Sequence, residues 1–439
     1  MNTKKLVLIP AILSLGLVGC SDNDDDPAPT ASVRVMHASA DAPAVDVAID
    51  GEVVLSGVEF QQGSGYLPVT AGTREVSLQV DGTDVYSEMF TVEANRSYSI
   101  LALNELASID LEALDDTERR ANSTNDVTVV HASPDAGNVD VNVTAAGAAL
   151  PMMPTLPDVP FGANATLEQI AAGDYQVRIA AAGSTDVVYD SGTLNVGADV
   201  TAVAVNSQKG ASPVSLLVWT ETQTPVAVVL SNSAEVRIVH AVDDVDVDVF
   251  AGGEELLGDF TYTSVQDYVE VGAGILDVAI APAGQGIGNA IESLTDTLTL
   301  ERGESYTVIA AGGLNNLAAT QLIVLQDERE FVSSDEAKVR LVHAASASVA
   351  QPVDIFVVAA GTMVSGDPDF PDVLFGQDTG YVTLAAPAGY DVVIAADGTT
   401  TAAVPGTDGI TLGTGGVATA IALGASGGNL SALILDDLR

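Results

Sequence analysis

Valine, isoleucine, threonine and tyrosine recur at every second position in runs of five to eight residues. Polar side chains fill the alternate positions, and Ala-Gly, Asp-Gly and Pro-Gly pairs break the runs. A period of two rather than 3.6 predicts strands with one buried face, and no long amphipathic helix is visible. About seven such runs fall in each stretch of about 100 residues, the spacing of a two-sheet sandwich.

The runs belong to a larger repeat. Val33-Arg34-Val35-Met36-His37-Ala38 returns as Val127-Thr128-Val129-Val130-His131-Ala132, as Val236-Arg237-Ile238-Val239-His240-Ala241 and as Val339-Arg340-Leu341-Val342-His343-Ala344. These segments hold all four histidines, at spacings of 94, 109 and 103 residues. Each is followed by a strand centred on an aspartate, read as Asp46, Asp140, Asp246 and Asp354. A phenylalanine, a large residue and a glycine come next: Phe60, Tyr66, Gly72; Phe161, Leu167, Gly173; Phe260, Tyr268, Gly274; Phe375, Tyr381, Gly389. A valine stands four residues after each glycine. Tyr175 and Tyr306, just after turn glycines, fit the tyrosine corner of sandwich folds.

These patterns predict an all-β chain of four tandem immunoglobulin-like β-sandwich domains, spanning residues 32–120, 126–230, 235–332 and 337–439. Polar linkers are expected at Thr117–Asn125, Ser231–Ala234 and Asp327–Glu336, with Arg119-Arg120 the exposed protease site. The whole reads as a string of four sandwiches. The strand ending in His-Ala, the Ala42-to-Val47 segment and the glycine-to-valine strand resemble the bacterial domain-of-unknown-function 4397 family. That resemblance implies tandem copies in exported, surface-anchored proteins and supplies no established activity. Copy two departs from the pattern at Thr128 and Leu167, and copy three shortens the loop after His240.

The N-terminus changes the picture. Lys4 and Lys5 precede an apolar run from Leu6 to Val18, too short to span a bilayer and suited to a secretory signal over residues 1–19. It ends in Leu17-Val18-Gly19-Cys20, which resembles the bacterial lipobox and makes Cys20, the single cysteine, the expected site of lipidation. Residues 20–31, acidic and Pro-containing, read as a disordered tether. The expected partner is therefore a membrane, reached through an N-terminal lipid anchor and with no transmembrane helix in the mature chain. Ser21 after the cysteine points to outer-membrane delivery, on either face. With one cysteine there is no intramolecular disulfide, so packing alone stabilises the domains.

Charge removes further classes. Sixty acidic residues against 15 basic ones give a formal charge of −45, which repels phosphate backbones and excludes nucleic-acid binding. The acidic surface serves solubility, or else divalent cations. Calcium is the plausible ion, with no other cofactor implied, and Asp244, Asp246 and Asp248 its first candidate ligands if they share one strand face. The run from Gly366 to Asp372 is the second.

One histidine per domain is too few for a zinc or iron centre. Strand phase instead places His37, His131, His240 and His343 at the inner edge of each core, tying down a backbone carbonyl. The repeated aspartates fall on the opposite phase, where Arg34, Arg237 and Arg340 could pair with Asp46, Asp246 and Asp354. No nucleophile stands in a hydrolase setting, so no enzyme is expected. Aromatics are 5% of the chain, a poor supply of platforms for a glycan partner. The expected function is a non-catalytic envelope protein used for adhesion, matrix building or binding of a protein or glycan. Its alternatives are a calcium-dependent module, or a periplasmic small-ligand-binding or enzyme-accessory protein.

Overall fold

A computed structural model describes residues 28–118, 125–220, 226–243, 245–313, 320–329, 335–345, 352–386, 388–401, 410–424 and 430–438. Cys20, Asp244 and the Arg119-Arg120 pair lie outside them. Among the described residues, strands carry almost all of the regular structure, in eight separate sheets. No helix among the described residues is long and apolar enough to cross a membrane.

The first repeat folds as β1 (Thr30–His37), β2 (Val45–Ile49), β3 (Glu52–Val58), β4 (Leu67–Thr70), β5 (Gly72–Val80), β6 (Thr83–Val92), β7 (Ser97–Leu103) and β8 (Asp110–Asp115). One sheet runs β4-β1-β7-β8 and the other β3-β2-β5-β6. Inside the first sheet β1 and β7 are parallel, Ser32 opposite Ser97 and His37 opposite Ala102; its other pairs are antiparallel. Alternation places Ala31, Val33, Val35, Val45, Val47, Val76, Leu78 and Ile100 in the core between the sheets. β1 thus starts two residues inside the segment read as tether. Ala31 is in phase with Val33 and Val35, and that buries it.

The other repeats reuse this plan. Their first strands, Asn125–Ala132, Ser233–Asp243 and Glu336–Ala345, each pair in parallel with the strand that closes the domain, Val200–Asn206, Ser305–Gly313 and Val417–Gly424. The expected corners form. The Tyr306 hydroxyl accepts the Glu301 N–H at 3.0 Å, and the Tyr175 hydroxyl donates to the Ala171 carbonyl at 2.9 Å.

The sandwiches are not separate beads. The chain divides into two compact units, residues 1–232 and 233–439, each holding two repeats. Within the first unit, the outer face of the β1–β7 sheet packs on the corresponding face of the second repeat. Met36, Leu101, Leu103 and Leu114 meet Val130, Val203, Val205, Leu217 and Trp219 in one cluster. Within the second unit Val239, Ile309 and Leu325 meet Val342, Ile421 and Leu435 likewise. A sheet covered on both faces reads as a continuous apolar run, and the closing strands read that way: Ile100-Leu101-Ala102-Leu103 in the first repeat, Val308-Ile309-Ala310-Ala311 in the third.

Candidate functional site

Three polar constellations recur with the repeat. The first surrounds the histidines, which are almost fully buried. In each, Nδ1 accepts the backbone N–H two residues on, from Ser39, Ser133, Val242 or Ala345, at 3.3–3.4 Å. The proton of the neutral ring therefore sits on Nε2, which donates to a carbonyl two residues before the next strand: Pro43 at 3.1 Å, Gly137 at 2.6 Å, Val245 at 2.8 Å. The Nε2 of His343 is buried without a hydrogen-bond partner among the described residues. A phenylalanine ring (Phe60, Phe161, Phe260 or Phe375) covers each imidazole at 6.1–6.3 Å. Burial pushes His37, His131 and His240 below the ordinary imidazole value and takes His343 down to about 4.

The second constellation is the aspartate of the second strand. Asp140 accepts the N–H of Asp158 and of Gly183, and Asp354 those of Asp372 and Gly398, at 2.8–3.1 Å. Asp46 accepts the Gly57 N–H. In the third repeat the residue doing this is Asp248, which holds Asp259 and Gly284; the assignment of Asp246 is corrected. The strand there is Val247–Ala251, and Asp246 lies before it, exposed. A slip of two residues leaves a Val-Asp-Val-Asp-Val alternation unchanged, which is why the pattern could not fix the register. The loop after His240 is one residue shorter than in the first two copies rather than three.

This register also undoes the first calcium candidate. Asp246 and Asp248 do not share a strand face, and both carboxylate oxygens of Asp248 are taken by backbone N–H groups. Asp244 lies outside the described residues. Among the described residues, the carboxylates that gather are Asp354, Asp372 and Asp397, with ligand atoms within 4.8 Å of one another. Asp372 comes from the second candidate run. Asp354 is already compensated by two N–H groups, and the other two are exposed.

The third constellation is the repeat arginine, and it overturns the expected pairing with Asp46, Asp246 and Asp354. Arg34, Arg237 and Arg340 lie in the faces buried between paired domains, each about 2% exposed or less. In the second unit the contacts are reciprocal. Arg237 bonds the carboxylate of Asp437 in the fourth domain, and Arg340 bonds that of Asp327 in the third. Arg237 also donates to the Asp436 carbonyl at 3.1 Å, and Arg340 to the Gln326 carbonyl at 2.9 Å. Each aspartate accepts two more hydrogen bonds from its own domain. Tyr268 and Thr307 serve Asp327 at 2.7 and 2.6 Å; Tyr381 and Thr419 serve Asp437 at 2.8 and 2.6 Å. The guanidinium groups lie over the rings of Tyr268 and Tyr381 at 4.7 and 4.6 Å. Burial, with the neighbouring carboxylates, raises both phenols far above their ordinary range.

In the first unit the arrangement is one-sided. Arg34 sits 3.7 Å from Asp116 of its own domain and reaches over to the Thr220 carbonyl and the Thr201 hydroxyl. It also stacks on Trp219 at 3.8 Å. Trp219, fully buried, is no platform for a sugar. Asp327, read from the sequence as the start of a linker, is the buried carboxylate on which two arginines converge. Acidity so pervades this chain that the functional aspartates carried no distinguishing signal. The order of Arg34, Tyr66 and Asp116, repeated as Arg237, Tyr268 and Asp327 although the intervals differ, could have found them.

The model of the family described as Domain of unknown function (DUF4397) matches residues 31–142, 126–228 and 234–356. No curated protein matches the chain. Among solved structures, a multi-modular glycogen-degrading pneumococcal virulence factor aligns at 8% identity over 85% of this chain and 37% of its own, with a TM-score of 0.16. The chain spans little more than a third of that protein, and a likeness at this score carries no argument.

Proposed function

The chain belongs to the DUF4397 family, as a tandem array of its β-domains, and on that footing we propose that it is a non-catalytic envelope lipoprotein. In this reading Cys20 carries the lipid, and the sandwiches are presented for adhesion, matrix assembly or partner binding. One observation carries it: the polar residues common to the repeats are engaged with backbone or with the neighbouring domain. Histidine clamps a loop, aspartate holds backbone N–H groups, and arginine joins two domains. Multivalency then supplies affinity, through weak contacts repeated along one tether. Pairing lowers the number of modules that move as bodies from four to two. In this reading a partner adds a strand at a sheet edge.

Protease added to intact cells is expected to cut the array and release fragments. Protection until the outer membrane is opened would place it in the periplasm, and the adhesion reading would fall. A calcium-dependent module has less to stand on, since Asp248 is committed to backbone N–H groups. Millimolar calcium is therefore expected to leave the melting temperature of the full chain within about 1 °C; a rise of about 4 °C or more, roughly 1–2 kcal/mol for a unit of this size, would bring calcium back.

A further inference from the structure

The two units bury equivalent faces, yet they differ at a pair of positions that meet inside the first. Strand register aligns Trp219 with Leu114, Leu325 and Leu435: the four lie opposite Thr201, Ser99, Thr307 and Thr419, the residues beside positions 128, 34, 237 and 340 of the first strands. Three copies place leucine where the second places the only tryptophan of the chain. Across the interface from that indole is Gly63. A Cβ there would lie 3.2 Å from Trp219 Cε2 and 2.9 Å from Val226 Cγ2, too close for either to stay in place. The φ of Gly63 is not in the left-handed region, so room and not backbone freedom calls for glycine. Gly63 bridges to Met36, and the residues at the same place opposite Val130, Val239 and Val342 are Asn164, Val265 and Asp378. Only the first domain has the hole.

We infer that Gly63 and Trp219 form a hole and a knob that decide which domains pair, so that the second domain docks on the first and on no other. The arginine network cannot make this choice. The first, third and fourth domains carry the same Arg-Tyr-Asp set, so this set alone does not tell their faces apart. The second domain has Thr128 in place of arginine and leans on Arg34 for its cation. Docked on the third or fourth domain, Trp219 would meet Val265 or Asp378 where Gly63 leaves space. The exclusion is steric in one case and adds a buried carboxylate in the other. Four similar faces on one chain otherwise invite misassembly, between neighbours or between chains crowded on a membrane.

The test uses the full chain, in which Trp219 is the sole indole fluorophore. Gly63→Val, which installs the residue of the third domain, is expected to shift Trp219 emission to the red. It should also lower the melting of the first unit by about 4–10 °C. Adding Trp219→Leu, which recreates the Val-Leu pair of the second unit and removes the indole, should recover at least half of the lost melting temperature, read by circular dichroism. Strain confined to the first domain would not be relieved by a change in the second, so absence of rescue overturns the proposal. Unchanged emission and melting in Gly63→Val overturn it as well. In the second unit, Leu435→Trp should destabilise, and Val265→Gly added to it should restore. Equal melting of that single and double variant counts against the knob and hole.

Discussion

Asp327→Ala is expected to cost the second unit about 3–5 kcal/mol, because it strips the carboxylate from a buried arginine. Asp327 accepts from Tyr268, Thr307 and Arg340 and lies 4.0 Å from Arg237. Arg237, Arg340 and Thr307 are buried and Tyr268 is half-buried, so the alanine variant leaves a guanidinium and two hydroxyls to find other partners. Asp327→Asn keeps an acceptor and loses the charge, and it should fall between wild type and alanine. Removing Arg237, Arg340, Asp327 and Asp437 together for apolar residues should cost less than the single alanine, since no charge is then stranded. Urea unfolding of the full chain followed by circular dichroism measures this, with the fluorescence of Trp219 in the first unit as an internal reference. An Asp327→Ala midpoint equal to wild type would show that the network adds nothing.

Acid should loosen the domains through their histidines. Each Nδ1 faces a backbone N–H, so a proton added there meets a donor and breaks the clamp on the loop. The folded-state value of His343 falls from 6.5 to about 4, and those of the other three fall in the same direction. Because the folded value is the lower one, the unfolded chain binds more protons below pH 6.5. The stabilisation is whole above pH 6.5 and is lost as the pH falls toward about 4. For His343 the shift is worth about 3 kcal/mol. Titration of carboxylates overlaps the lower end of this window, so the measure is the slope of stability against pH in wild type and in His343→Gln. A shallower slope in the variant is expected; equal slopes would show that this imidazole is not the group being protonated.

Strand period, the fourfold repeat and the phase of the histidines were all legible in the chain. They are local properties: a face is set by i and i+2, and a repeat by its own copies. The register at Asp246 and Asp248 was not, because two successive Val-Asp steps fit either way and only the hydrogen bonds to Asp259 and Gly284 choose. Arg34 was placed correctly on the face away from its valines. It was given the wrong partner because that face was taken to meet water. The signal against this stood in the closing strands, where Leu101 and Leu103 are as apolar as the positions that alternate with them. What the faces meet depends on side chains about 100 residues away, and no local window contains it. Asp354, Asp372 and Asp397 come together for the same reason, from three separate segments.

The parallel pair at the centre of each domain bears on how the protein is made. Ser32 finds Ser97, Val127 finds Val200, Glu235 finds Ser305 and Lys338 finds Val417. The first strand to emerge from a ribosome or a secretion pore thus waits for nearly the last before its sheet can close. Contacts this distant in sequence fold slowly. On the envelope reading proposed above, an unfolded chain in transit would gain from that delay, since no repeat can lock before most of it has passed through. The outer face of a finished first domain then stays uncovered until the second has followed, which makes the pair, and not the single sandwich, the natural quantum of assembly.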